Sequence, residues 1–252
     1  MRLMLICILA ILLLSCSGSV PIGAVGTSPP SHQLWTQLLK MHVRDDGNVN
    51  YQGFVQDKAK LQRYLDTLSQ NPPDTTAWSE AEQLTYWINA YNAFTVKLIV
   101  DNYPLESITE LHPTLHVPGV NTVWHKKFFR IGNQKSSLDE IEHQILRKQF
   151  DEPRIHFAIN CASKSCPPLR PEAYEAGKLE EQLQEQARSF INNPKYNQIK
   201  TNRAEVSQIF SWFSGDFTRQ GSLQEYLNKY STAQLKADAA ITYKDYDWSL
   251  NE

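Results

Sequence analysis

Between Phe54 and Ser69, Leu61, Tyr64, Leu65 and Leu68 recur three and four residues apart, a spacing that predicts an amphipathic helix. Trp35, Leu38, Leu39 and His42 repeat the pattern between His32 and Val43, ahead of an Asp45-Asp46-Gly47-Asn48 turn and a short extended Val49–Tyr51. Asn71-Pro72-Pro73 stops the second helix, and Ser79-x-x-Glu82 reads as a capping box opening the longest helix, to about Tyr103 before Pro104. Its stretch YWINAYNAFTVKLI, Tyr86 to Ile99, is apolar nearly all round and so predicts burial. Gly132-Asn133 after Phe128–Ile131 suggests a hairpin. Ser137 to Lys148 reads as a helix with Leu138, Ile141 and Ile145 facing the core. Arg154 to Asn160 reads as a strand and Cys161 to Pro168 as a loop. Then come a mostly polar helix, Lys178 to Asn193, a second hairpin (Gln198–Thr201 with Glu205–Phe210), a helix from Leu223 to Tyr230 and a strand from Ile241 to Trp248. The expected class is α+β: one domain, residues 32–252, whose helix-rich N-terminal half packs on a small, mostly antiparallel sheet.

The first residues are of another kind. Met1–Arg2 precedes an apolar run from Leu3 to Leu14, too short to span hydrocarbon comfortably and suited to a signal peptide, residues 1–15. Leu13-Leu14-Ser15-Cys16 resembles a bacterial lipobox, which implies cleavage before Cys16, acylation of that cysteine and attachment to a membrane through lipid. Ser17 after the cysteine resembles the pattern of outer-membrane lipoproteins facing the periplasm. A plain secretory peptide cut near Ser17–Gly18 and a short uncleaved anchor are the alternatives. Residues 16–31, rich in Gly, Pro and Ser, read as a lipid-anchored flexible linker.

Composition then narrows the function classes. Of 252 residues 41% are hydrophobic and 21% charged, which excludes a disordered tail, a collagen-like fibre and a polytopic membrane protein. With 25 Lys+Arg against 27 Asp+Glu the net charge is −2, so the chain lacks the basic face that nucleic-acid binding needs. Of four cysteines, Cys7 falls in the signal and Cys16 in the lipobox, leaving Cys161 and Cys166 in the domain. In an oxidising compartment such a pair tends to form a disulfide.

Three segments carry more than core filling. Asn89 and Asn92 lie on one face of the long helix, and burying them requires partners, either loop backbone or a polar cleft. Glu140, His143 and Arg147 form a stripe in which a carboxylate three residues before a histidine can orient the imidazole, although the same spacing fits a solvated face. RIHFAINCASKSCPPLRP, Arg154 to Pro171, ends a strand abruptly at Asn160–Cys161, where functional side chains are often presented. Its bland readings are a Cys161–Cys166 disulfide or inert thiols. Strict alternation on that strand would turn Cys161 away from His156. His125, His143 and His156 show neither HExxH nor CxxC spacing, so no metal and no cofactor is expected.

YWINAYNAF, SLDEIEHQILR, RIHFAINCASKSCPPLRP and the ending YKDYDWSLN, in that order over roughly residues 80–250, resemble the bacterial family called domain of unknown function 547. The resemblance implies a periplasmic or lipid-anchored domain similar to a papain-like cysteine peptidase, with a Cys-His-Glu arrangement carried by Cys161, His143 and Glu140. A thiolate, a base and a group orienting the base are the three parts such chemistry needs. Asn160 or a nearby backbone N–H is the candidate oxyanion donor, His156 the alternative base and Cys166 the alternative nucleophile. The expected function is cysteine-dependent hydrolysis of a peptide or amide bond in the cell envelope. The alternative is a non-catalytic binding or scaffold lipoprotein with a Cys161–Cys166 disulfide.

Overall fold

The computed structural model describes residues 28–115, 117 and 120–252. The signal peptide, Cys16 and most of the linker lie outside the described residues. Helix α1 (Gln33–His42), α2 (Tyr51–Gln56) and α3 (Lys58–Gln70) pack around the long α4 (Glu80–Asn102). The Ser79 box closes as the sequence predicts: Ser79 Oγ accepts from the Glu82 N–H and the Glu82 carboxylate accepts from the Ser79 N–H at 2.7 Å. Because α4 is apolar on nearly every side, Tyr86, Ile88, Ala90 and Ala93 are fully buried. Trp35 stacks on Tyr64 at 5.6 Å inside this first core.

The hairpin β1 (Phe129–Ile131) and β2 (Gln134–Ser136) forms around Gly132, whose φ of +54° favours glycine. After it the chain winds as a π-helix (Glu140–Leu146) continued by one turn of α5 (Arg147–Gln149), and α6 (Ile155–Ala158) is a single turn. The C-terminal half holds α7 (Leu179–Asn192), β3 (Gln198–Lys200), β4 (Arg203–Val206), α8 (Ile209–Trp212), α9 (Ser214–Phe217), α10 (Leu223–Asn228) and β5 (Ala240–Tyr243). β3 pairs antiparallel with β4 (Ile199 opposite Ala204), and β4 pairs parallel with β5 (Ala204 opposite Ile241). A second core gathers Phe157, Phe190, Phe210 and Phe217. α6 joins the two: Ile155 and Ala158 pack in the first core and Phe157 in the second.

The class is α+β, with four local corrections. The helix expected over Phe54–Ser69 is two helices meeting at Asp57, and the strands form two separate small sheets. The segment expected as a strand, Arg154–Asn160, contains the helical turn α6. It is buried on all sides, and periodicity cannot separate a short buried strand from a short buried helix. The segment expected as an α-helix, Ser137–Lys148, is largely a π-helix. Its wider turn buries Leu146 in place of Ile145 behind Leu138 and Ile141.

The tail beyond β5 laces the halves together. Asn251 accepts from the Val49 N–H at 2.8 Å through its backbone carbonyl and from Tyr51 OH through its side chain, while its own N–H donates to the Ala162 carbonyl. The Leu250 N–H donates to the Glu106 carbonyl at 2.7 Å, and the Ser165 N–H to the Asp247 carbonyl at 3.2 Å.

Candidate active site

Both helix-face asparagines are buried, and both hold loop backbone. Asn89 brackets Tyr174, donating to its carbonyl at 2.9 Å and accepting from its N–H at 3.0 Å. Asn92 donates to the Ala158 carbonyl at 2.9 Å and accepts from the Asn160 N–H at 2.8 Å, which fixes the end of α6. Asn160 in turn donates to the Pro167 carbonyl at 2.8 Å and accepts from the Ala162 N–H at 2.9 Å. Its side chain is thus committed to the loop and is not available as the expected oxyanion donor. Ala162 sits at φ +64°, a left-handed conformation that costs a non-glycine residue roughly 1–3 kcal/mol and persists only where the surroundings impose it.

This scaffold presents Cys161. Its Sγ lies 3.2 Å from Tyr246 OH and 3.3 Å from Ser163 Oγ, and its backbone N–H donates to Cys166 Sγ at 2.8 Å. Both cysteines are free thiols. Hydrogen bonding from Cys166, joined by Ser163 and Tyr246, outweighs the cost of burial and lowers the Cys161 thiol to about 7. Burial pushes the Cys166 thiol well up, so Cys161 is the member of the pair that ionises. The direction is the one the sequence suggests for a nucleophile, but the cause is not His143. The thiol's hydrogen-bond partners are Cys166, a serine and a tyrosine.

Cys161, His143 and His156 line one cavity of about 630 Å³, and with a helical turn in place of the expected strand no pleat turns Cys161 away from His156. His143 accepts from Arg147 Nη1 at Nδ1, 2.9 Å, and its Nε2 lies 3.7 Å from the Asp139 carboxylate. Glu140 does not share in this. Its carboxylate pairs with Lys127 Nζ at 2.5 Å and accepts from the Ser137 N–H at 3.2 Å. The reason is the winding: a π-turn carries Glu140 round from His143 and leaves Asp139, four residues earlier, alongside the ring. Arg147 also donates to Asp216, which accepts from His156 Nε2 at 2.8 Å and from Arg219 at 3.0 Å.

His156 is stacked on Phe213 at 4.0 Å, and its Nδ1 is buried without a hydrogen-bond partner. Burial lowers it to about 4 although Asp216 pulls the other way, so the ring is neutral at pH 7. Burial also works against ionisation of Asp216, but the hydrogen bonds from His156 and Arg147 prevail and hold its carboxyl well below the usual range. Glu142, on the same cavity, accepts from Tyr91 OH at 3.1 Å, and burial raises its carboxyl. Among the described residues no three His, Cys, Asp or Glu side chains are placed to hold a metal ion.

Residues 75–191 match the family model described as protein of unknown function, DUF547. The matched segment is similar to DUF547. It spans just under half the chain and contains Asn89, Asn92, Asp139, Glu140, His143, His156, Cys161 and Cys166. Tyr246 and Asp216, which complete the surroundings of Cys161 and His156, lie beyond the matched residues. No curated protein and no solved structure matches the chain.

Sequence reasoning missed the partners Tyr246, Asp139 and Asp216. Tyr246 stands in the ending YKDYDWSLN, but nothing local ties that motif to a thiol 85 residues earlier. Asp139, four residues before His143, fits an α-helical neighbour as well as Glu140 does, and only the structure separates the two.

Proposed function

We propose that the protein is a thiol-dependent hydrolase of a peptide or amide bond, with Cys161 as nucleophile and His143 as proton carrier. One observation carries the reading: Cys161 Sγ lies on an open cavity within reach of two hydroxyls and a second thiol that favour its ionised form. The sulfur attacks the carbonyl carbon, a C–S bond forms and the C–N bond breaks. The proton released by the thiol passes through His143 to the departing amine. Water then cleaves the thioester, giving the acid and restoring the thiol. Because Arg147 donates to Nδ1, the neutral His143 ring carries its proton on Nε2. It gains a second proton when Nδ1 releases Arg147, which keeps its bond to Asp216. The chemistry is of the kind papain-like peptidases use, with Asp139 rather than Glu140 as the carboxylate beside the histidine. We further propose a lipid tether at Cys16 on the outer membrane, on the strength of the lipobox-like Leu13–Cys16.

The test is alkylation of the native protein with iodoacetamide across pH, read by mass spectrometry. Cys161 should label with a midpoint near 7 and well ahead of Cys166, and His143→Ala should abolish turnover of amide substrates while leaving that labelling. A cystine between Cys161 and Cys166 in protein isolated from cells, or Cys161 labelling only after denaturation, would overturn the reading in favour of a binding lipoprotein. A palmitate analogue should label the wild type and not Cys16→Ala; label surviving in that variant refutes the tether.

A further inference from the structure

The cavity beside Cys161 has a wall of aromatic rings. Tyr246 lies 4.5 Å from Trp248 and 4.7 Å from Trp212, Trp212 stacks on Trp248 at 5.8 Å, and Trp124 meets Trp248 at 5.5 Å. Trp212 keeps 46% of its surface exposed, so the cluster is not closed over by the fold. Apart from its four histidines, the charged side chains on the cavity are of one sign. Asp139 and Glu142 line it, and no lysine or arginine does among the described residues. Arg147, 5.1 Å from the Phe213 ring, is ion-paired with Asp216 and does not line the cavity. Asp139 is flanked by His125 and His143, but Glu142 has one hydrogen bond, from Tyr91 OH, and no ion-pair partner among the described residues.

A partly desolvated carboxylate without a counter-ion is costly, and a cation brought by a ligand relieves that cost. Aromatic faces beside it add attraction for an ammonium group, strongest for tryptophan. We propose that the Cys161 cavity takes substrates carrying a positively charged side-chain amine, the ammonium seated between Glu142 and the cluster of Trp212, Tyr246 and Trp248. This deepens the hydrolase reading and rests on it only for the fate of the ligand, since the cation site exists with or without chemistry at Cys161.

Binding is therefore measured on the full chain carrying Cys161→Ala, by tryptophan fluorescence, with two probes of matched shape: Nα-acetyl-lysine amide and the uncharged Nα-acetyl-norleucine amide. The lysine amide should bind about tenfold tighter. Glu142→Gln, at unchanged melting midpoint, should remove most of that preference. Trp212→Ala, a change at a half-exposed side chain, should weaken the lysine amide by several-fold and keeps the test valid if the Glu142 variant does not fold. Equal binding of the two amides, no saturable binding of either, or a preference unchanged in both variants overturns the proposal. Loss of Cys161 reactivity in the alkylation experiment would instead sink the hydrolase reading and leave these binding results standing.

Discussion

The Cys161 loop and the π-helix border the same cavity but are held by different forces. Around Cys161 the backbone is fastened by buried carboxamides, Asn92 on Ala158 and Asn160, and Asn160 on Pro167 and Ala162. On the π-helix, His143 is held by Arg147, Arg147 by Asp216, and Asp139 stands 3.7 Å off, all in groups partly open to water. Hydrogen bonds inside the protein are undiluted by solvent, whereas ion pairs near water are weakened by it and by salt. The difference suits the proposed roles: a nucleophile is best kept in one place, while a ring that takes up and releases a proton must exchange partners.

The largest expected effect falls on the rigid side. Asn92→Leu strands the Ala158 carbonyl and the Asn160 N–H, so it should cost about 3 kcal/mol in urea unfolding and blur the difference in alkylation between Cys161 and Cys166. A variant with wild-type stability would break the comparison at its stronger arm.

Next comes the joint between the two sides, His156 on Asp216. The folded value near 4 lies below the ordinary 6.5, so on acidification the unfolded chain takes up this proton first. Stability from this group is complete above pH 6.5 and is lost as pH falls from 6.5 towards 4, by about 3 kcal/mol in all. His156→Gln, which keeps an N–H for Asp216, should reduce the fall in melting midpoint over that interval to the share left by His32, which burial also lowers to about 4. A wild-type profile that is already flat there would refute the buried neutral histidine.

Tyr246→Phe tests the thiol's environment with less disturbance. Loss of one hydroxyl near Sγ should raise the midpoint of the Cys161 alkylation profile by about one pH unit at little cost in stability. The smallest effect sharpens the comparison directly. Raising salt from about 0.05 to 1 M should leave the Cys161 alkylation midpoint nearly in place, because its partners are buried hydrogen bonds rather than ion pairs.

Much of the frame was legible in the sequence because local rules decided it: the Ser79 box, the turn at Gly132 and the all-round apolar α4 each specify their element without help. Asn89 and Asn92 were legible as buried and bonded, since a carboxamide on such a helix has no cheaper fate. The π-winding was not, because a stripe of Leu138, Ile141 and Ile145 reads the same until tertiary packing selects Leu146. On an α-helix both Asp139 and Glu140 neighbour His143, and the π-winding leaves only Asp139 there. The one-turn α6 escaped for the reason that a four-residue buried run has no period to read, and Tyr246 because its partner is distant along the chain.

The lacing of the C-terminal tail also bears on when the thiol acquires its neighbours. Tyr246 and Asn251, which complete the neighbourhood of Cys161, are translated 85 residues and more after it, roughly 4–17 s at 5–20 residues per second. Through that interval the emerging chain carries a cysteine lacking its tyrosine donor and the Asn251 bond to Ala162. One of the thiol's hydrogen-bond partners therefore comes from chain made well after the thiol itself.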